Sequence, residues 1–466
     1  MTRITTALVP ACLLAAALLV PAADAAAQQE GAVGQAVFSD TTARRLSLDE
    51  ALRIALRRNP SLEQSRANLN LAQYDRLTAR GSFLPSLDLG YGYSNASTGR
   101  LDPTGQTITR TSYTLQVGGS LTLFDGLRRF RQLRSSRLQV QAERAGFRES
   151  RFDVIRRVKQ AYYDAVANRE LVVVEADRVE RQRDQLQFVR EQVKAGRATR
   201  TDRLRSEVEL NNARLALINA RNDSRASRYR LAEALGSEGR VAPSRDSTLA
   251  PDSLRYERPE VMRMALETGP SLEAAEAEVE AARAEAEAAK SSYLPSLSLQ
   301  GGYAWQNTEF PPQNRSWSLS LQGSLPLFDG FEREARAFRA EARMEMARAR
   351  RTAEELALRT EVDAAYSRVE AARAGLQLAR TNVELARENL EVTRERYRLG
   401  LASILDLQAA QIDLEEAQVE LVQRRFDHRM GVAQLEALAG RELAGAGART
   451  ENEDGGNGGN GGTEEP

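Results

Sequence analysis

Histidine and cysteine are so sparse in this sequence that zinc sites, Cys–His pairs and Ser-His-Asp triads are excluded. Its 466 residues include one histidine, His428, and one cysteine, Cys12. Cys12 lies inside the apolar run Ala7 to Val20, with Arg3 before it and small residues at Ala23-Asp24-Ala25 and Ala25-Ala26-Ala27 after it, the pattern of a secretory signal over 1–27. Most of the apolar run follows Cys12, whereas a lipid-attachment cysteine needs it in front. Without 1–27 no thiolate, disulfide or Cys–His pair remains. A lone histidine does not make a zinc site, and neither a Gly-x-Ser-x-Gly elbow nor a phosphate-binding glycine loop with lysine occurs. His428 falls in the stripe Leu407, Leu414, Leu421, Leu435, where an interhelical hydrogen bond is the expected use of its ring. Carboxylates abound, but heptad-flanking ion pairs account for them. Catalytic, metal and cofactor sites are therefore all expected to be absent.

The elements that position the remaining residues are written twice. Lys+Arg and Asp+Glu both number 65, so bulk charge draws the chain toward neither nucleic acid nor anionic lipid. Beyond residue 27 no run of 18 apolar residues occurs, which excludes a transmembrane helix. Export without such an anchor leaves periplasm, outer membrane or exterior. Asn59-Pro60-Ser61-Leu62 returns as Gly269-Pro270-Ser271-Leu272, Phe83-Leu84-Pro85-Ser86-Leu87 as Tyr293-Leu294-Pro295-Ser296-Leu297, and Leu123-Phe124-Asp125-Gly126 as Leu327-Phe328-Asp329-Gly330. After an extended segment 28–46, the first repeat spans 47–236, with a hairpin near 84–124, a long helix near 125–195 and a return helix 197–236. A connector, 237–257, leads to the second repeat, 258–440, with a hairpin near 294–328, a long helix near 329–399 and a return helix 401–440. The Gly/Asn/Glu tail 441–466 is too poor in apolar residues to fold.

The hairpins alternate with period two. Leu87, Leu89, Tyr91 and Tyr93 alternate with Ser86, Asp88, Gly90 and Gly92, and Trp317, Leu319 and Leu321 with Ser316, Ser318 and Ser320. Aromatics bracket every strand: Phe83 to Tyr93, Tyr113 to Phe124, Tyr293 to Tyr303 with Trp305 just beyond, and Trp317 to Phe328. Brackets about 10–11 residues apart span ~35 Å, or ~25 Å when tilted by about 45°, the height of the apolar band of an outer-membrane barrel. Four strands cannot close, and open edges are not tolerated in lipid. Chains must pool strands, and physics alone allows a dimer with eight or a trimer with twelve.

The long helices carry a strict heptad, Val362, Val369, Leu376, Val383, Leu390, Tyr397, beside a second stripe, Leu378, Leu385, Val392, Leu399. Two residues of offset is about 200° around a helix, so each long helix needs a neighbour on both sides. A row of such helices curves, and closing it gives a tube.

The duplicated Leu-Pro-Ser-Leu at the start of each hairpin, Leu-Phe-Asp-Gly at each end and Arg396-Tyr397-x-x-Gly400 at the reversal resemble the TolC-like outer-membrane efflux protein family over about residues 47–440. That resemblance implies a mainly α fold with a membrane β-barrel portion: a homotrimer with a twelve-stranded barrel, four strands per chain, continuous with a long periplasmic coiled-coil barrel. It implies outer-membrane lipid around the barrel and docking to a periplasmic adaptor that couples to an inner-membrane RND, ABC or MFS transporter. Cargo would be small molecules, metals or type I secreted proteins. Aromatic-girdle residues would be Phe83, Tyr91, Tyr93, Tyr113, Phe124, Tyr293, Tyr303, Trp305, Trp317 and Phe328. The reversals would form the gate, with Asp406 in an acidic ring, Tyr397 holding the tips shut, and Asp202 its counterpart on the first tip. The adaptor would dock at Gly196, Arg197, Leu399, Gly400 and Leu401. Two departures stand out: Ala409 where a second acid is expected and Ala402 where a basic residue is expected. The first tip instead carries Arg197, Arg200, Arg203 and Arg205, of which one is expected to pair with Asp406 on a neighbouring tip. The rival reading is a periplasmic structural or adhesive coiled coil, which leaves the aromatic brackets unexplained.

Overall fold

A computed structural model describes residues 43–101, 107–249 and 254–443. The chain divides into Met1–Ala43 and Arg44–Pro466, and every element below lies in the second unit. The expected signal segment lies outside the described residues.

Each repeat opens with two short helices whose break is set by proline. Helix α1 (Leu48–Arg58) is capped by Ser47, whose Oγ accepts from Glu50 N–H at 3.2 Å while Glu50 Oε2 accepts from Ser47 N–H at 3.0 Å. Pro60 then sits at the first position of α2 (Pro60–Gly81), where its missing N–H costs nothing. After strands β2 (Ser86–Leu101) and β3 (Thr107–Phe124) come α3 (Arg128–Lys194) and α4 (Arg200–Ala234). The second repeat gives α5 (Arg258–Thr268), α6 (Pro270–Ala289), β5 (Ser296–Asn307), β6 (Asn314–Ser324), α7 (Glu332–Arg398) and α8 (Ile404–Ala439). Both α3 and α7 contain 67 residues, about 100 Å at ~1.5 Å per residue.

Return helices α4 and α8 reach only partway, and α2 and α6 are stacked on their ends. Asn59 Nδ2 donates to Ala234 O at 2.9 Å, and Thr268 Oγ1 donates to Ala439 O at 3.0 Å. Near the sheet the helices therefore neighbour one another in the order α2–α3–α6–α7, and toward the reversals in the order α4–α3–α8–α7. Ion pairs clasp acidic α6 from both sides, Arg148–Glu273 (2.6 Å) from α3 and Arg351–Glu276 (2.9 Å) from α7.

At mid-height each repeat buries its own core. Leu46, Ala51, Val158, Tyr162, Leu231 and Leu249 form one, and Val261, Leu272, Leu358, Val362, Leu435 and Leu443 the other. The stretch read as a plain connector contributes β4 (Val241–Pro243), which pairs in parallel with β1 (Arg44–Leu46). The chain beyond 440 is likewise not wholly tail: Leu443 is buried and its N–H donates to Glu436 Oε1 at 3.2 Å.

The membrane hairpins make one antiparallel sheet in the order β2-β3-β5-β6, joining the two repeats through β3 and β5. Strand β6 stops at Ser324, short of Phe328, and the long helices start three residues later than the sequence suggested. The reason is an elbow used twice: Gly126-Leu127 and Gly330-Phe331 all take left-handed φ between 65° and 69°. A Cβ at Gly126 would stand 2.5 Å from Leu294, so glycine is demanded there by space as well as by φ.

Candidate functional site: the helix reversals and the lipid-facing sheet

Both reversals are built from the same two devices. Helix α3 ends in a Schellman turn, with Arg197 N–H on Gln192 O at 2.9 Å and Gly196 N–H on Val193 O at 3.1 Å. Helix α7 repeats it, with Leu401 N–H on Arg396 O at 2.8 Å and Gly400 N–H on Tyr397 O at 3.1 Å. Gly196 and Gly400 adopt φ of +73° and +74°, and an added Cβ would meet nothing within 4 Å, so backbone sign alone requires glycine. A capping box then starts each return helix. Thr199 N–H donates to Asp202 Oδ2 at 2.9 Å, and Ser403 N–H donates to Asp406 Oδ2 at 2.8 Å. In return Asp202 N–H and Asp406 N–H each donate to the cap hydroxyl at 3.2 Å.

Asp406 is thus committed to its own helix start. The hydrogen bonds from Ser403 hold its carboxyl below the usual carboxylate range, and Arg396 adds to the effect. Among the described residues no ion pair within the chain joins it to Arg197, Arg200, Arg203 or Arg205; Arg203 instead faces Glu207 at 4.0 Å. Tyr397 bridges the tips. Its ring meets Phe188 of α3 edge-on at 5.9 Å, and its phenol is pushed up by burial and, further, by the Asp202 carboxylate of the first tip. The contact across the tips is thus the Phe188–Tyr397 ring pair, with the Asp202 charge near enough to be felt by the phenol. Leu399 and Leu401 flank Gly400 fully in the open.

Sequence reasoning missed a polar stratum above the tips. On α3, Arg178 pairs with Glu415 of α8 and lies 3.6 Å from Glu175, and Gln182 Nε2 donates to Gln411 Oε1 at 2.9 Å in a buried contact. A cavity of about 10 Å³ opens there, lined by Arg178, Arg181, Gln182, Glu209, Gln411 and Glu415. Burial pushes the Glu415 carboxyl up, against the pull of Arg178. Only the companion positions of the α3 heptad, with Glu175 and Gln182 where the second repeat has Ala379 and Ala386, could have signalled it.

His428 is buried, but the expected interhelical hydrogen bond is not made at Nδ1, which has no partner among the described residues. Burial and the Arg373 charge both hold its ring below the ordinary histidine range, so it is a neutral packing residue at pH 7. No group of three or more metal-ligating side chains occurs among the described residues.

In the sheet, register aligns the apolar positions. Leu89 faces Val117, Val117 faces Tyr303, and Tyr303 faces Trp317; Tyr91 faces Leu115, which faces Trp305; Tyr93 faces Tyr113. One face is consequently apolar and exposed, with Leu87 at 78% and Trp317 at 76%. Phe124 and Phe328 also stand exposed, at the helix end of the sheet. Phe83 and Tyr293 are drawn into the elbows: Arg129 lies over Phe83 at 5.0 Å while Asp125 accepts from its Nε at 3.1 Å, and Arg333 lies over Tyr293 at 5.3 Å and 3.0 Å from Asp329. The repeated Asp-Gly-x-x-Arg was visible in sequence but its role was not. No helix of the described residues is long and apolar enough to cross a membrane.

A four-stranded sheet greasy on one face, fused to a palisade of long helical hairpins, is the TolC-like channel fold. It superposes on the CmeC outer membrane channel of Campylobacter jejuni with a TM-score of 0.74 at 16% identity, covering 93% of this chain and 96% of that one. The sequence profile described as outer membrane efflux protein matches residues 51–237 and 261–441, and the chain belongs to that family of outer-membrane channels. Protein CyaE of Bordetella pertussis is 30% identical over 303 residues, 62% of each chain. Alkaline protease secretion protein AprF of Pseudomonas aeruginosa is 26% identical over 316 residues, 63% of this chain and 64% of AprF. The chain thus spans less than two thirds of the length of each of these relatives.

Proposed function

We propose that this chain is the protomer of a homotrimeric exit duct that carries small molecules or proteins across the periplasm and outer membrane without chemical change. The observation that carries the reading is the pair of unfinished ends. Strands β2 and β6 are free edges of the sheet. In the helical row the outermost members, α4 and α7, expose matching heptad stripes: Leu204, Val208, Leu215 and Ile218 on one, Leu378, Leu385, Val392 and Leu399 on the other. Lipid forbids open edges, so the ends of one copy meet those of the next. Three copies give twelve strands, the number that the family resemblance favours over the eight of a dimer.

The tips are the gate, with the Phe188–Tyr397 ring contact as a closing element and Asp406 in a ring of three acids; the exposed Leu399 and Leu401 beside Gly400, with Gly196 and Arg197, are the adaptor-docking points. Through the adaptor the duct serves an inner-membrane RND, ABC or MFS transporter, which selects the cargo. Mass measurement of the detergent-extracted protein should give three chains, and planar bilayers should show a channel whose conductance changes in Asp406→Ala. Unchanged conductance removes Asp406 from the gate. A monomer released from membranes by salt alone overturns the duct and favours the periplasmic coiled coil.

A further inference from the structure

Over its described side chains the interior face of the sheet bears almost no charge, and its composition says what the mouth of the membrane segment favours. Opposite the apolar positions, register places Ser86, Asp88, Gly90 and Gly92 on β2; Thr114, Gln116, Gly118 and Ser120 on β3; Gln300, Gly302 and Ala304 on β5; and Ser316, Ser318 and Ser320 on β6. Among the described side chains of that face, Asp88 is the one ionisable group. Its cross-strand row runs Asp88–Gly118–Gly302–Ser318, so nothing bulky stands beside it. An added Cβ at Gly118 would meet nothing within 4 Å. The adjacent row holds a Ser86–Ser120 hydroxyl pair at 2.9 Å. No ion pair to Asp88 occurs among the described residues, and Arg315, across from Trp305, belongs to the other face.

We propose that Asp88 is the charge-selecting residue of the membrane segment. On the reading that copies of this chain close a barrel, the symmetry-related Asp88 carboxylates form an acidic ring near the periplasmic mouth, followed over the described side chains by a neutral Ser/Gly/Gln/Thr wall. Salt screens charges over about 8–10 Å, so the ring favours cationic groups at the mouth and is not felt along the rest of the wall. Cargo that fits is polar and of either sign, including extended polypeptide, with cationic segments drawn in at the ring.

The chain has no cysteine other than Cys12, so single-cysteine variants report cleanly. In proteoliposomes, Ser120→Cys, beside the ring, and Ser94→Cys, toward the far end of β2, are reacted with cationic and anionic methanethiosulfonates of equal size. At Ser120→Cys the cationic reagent should react faster by a factor on the order of ten, falling toward one when Asp88→Asn is added, while Ser94→Cys shows no dependence on Asp88. A ratio at Ser120→Cys indifferent to Asp88→Asn overturns the ring. Failure of both reagents to label Ser120→Cys, with labelling of the lipid-face control Leu89→Cys instead, overturns the duct reading itself.

Discussion

Helix α8 lies between two long helices, α7 and α3, and treats them differently. Against α7 it buries Leu407, Ala410 and Leu414 on Val383 and Leu390, a dry seam inside one repeat. Against α3, across the repeats, it presents Gln411 to Gln182 and Glu415 to Arg178. An apolar seam is non-directional and loses contact energy wherever it parts. A polar seam next to a water-sized cavity can exchange its partners for solvent at little net loss. The α7–α8 hairpin is therefore a unit, and the joint with α3 is the line along which the reversals can separate.

Five variants probe that contrast and the tips beside it, in descending order of effect. Leu407→Ala, at a position 1% exposed, should cost about 2–5 kcal/mol in denaturant unfolding followed by helical circular dichroism; a loss well below that range would mean that the dry seam does not hold the hairpin. Arg178→Ala should cost less, about 1–3 kcal/mol, because the pair it breaks is partly solvated. Replacing both members, as Arg178→Leu with Glu415→Leu, should recover that stability and make open events rarer in planar bilayers. Loss of either cap, Thr199→Ala or Ser403→Ala, should cost about 1 kcal/mol in each repeat alike. Unequal losses would show that the two tips are not equivalent despite matching geometry.

The smallest effect is one of pH. Burial and the Arg373 charge hold His428 below the ordinary histidine value of 6.5, so unfolded chains bind its proton more readily and stability falls as pH drops through about 6.5. Glu415 acts in the opposite sense: burial raises its carboxyl, the folded state keeps the proton longer, and the α3–α8 seam weakens as pH climbs upward from the ordinary carboxylate value of 4.5. Melting curves across pH 4–8 should lose the acidic limb in His428→Gln and the second slope in Glu415→Gln.

Much of this was legible in the sequence because it repeats with a period. Alternation placed Leu89 and Trp317 on one face, and heptads put Val362 and Val369 in a core. The β1–β4 pair escaped because three residues are too few to show a period. The elbows escaped because Leu127 and Phe331 take a left-handed turn that bulky residues rarely adopt. Asp406 is expected to pair with an arginine of a neighbouring tip; the capping-box signature formed with Ser403, three residues earlier, was also legible and engages the same carboxylate at its helix start. The polar stratum depends on which helices become neighbours, and a single chain of letters does not say that α8 lies beside α3.

One asymmetry among the rods has a mechanical side. Helices α3 and α7 run unbroken from reversal to sheet, whereas α4 and α8 end midway and hand over to α2 and α6 across the hydrogen bonds from Asn59 and Thr268. Bending or torque applied at the far end has only two stiff shafts to follow. The other two shafts are jointed and can slip at the coupling, so the molecule carries its own suspension, able to flex at one extremity while the membrane anchorage stays still.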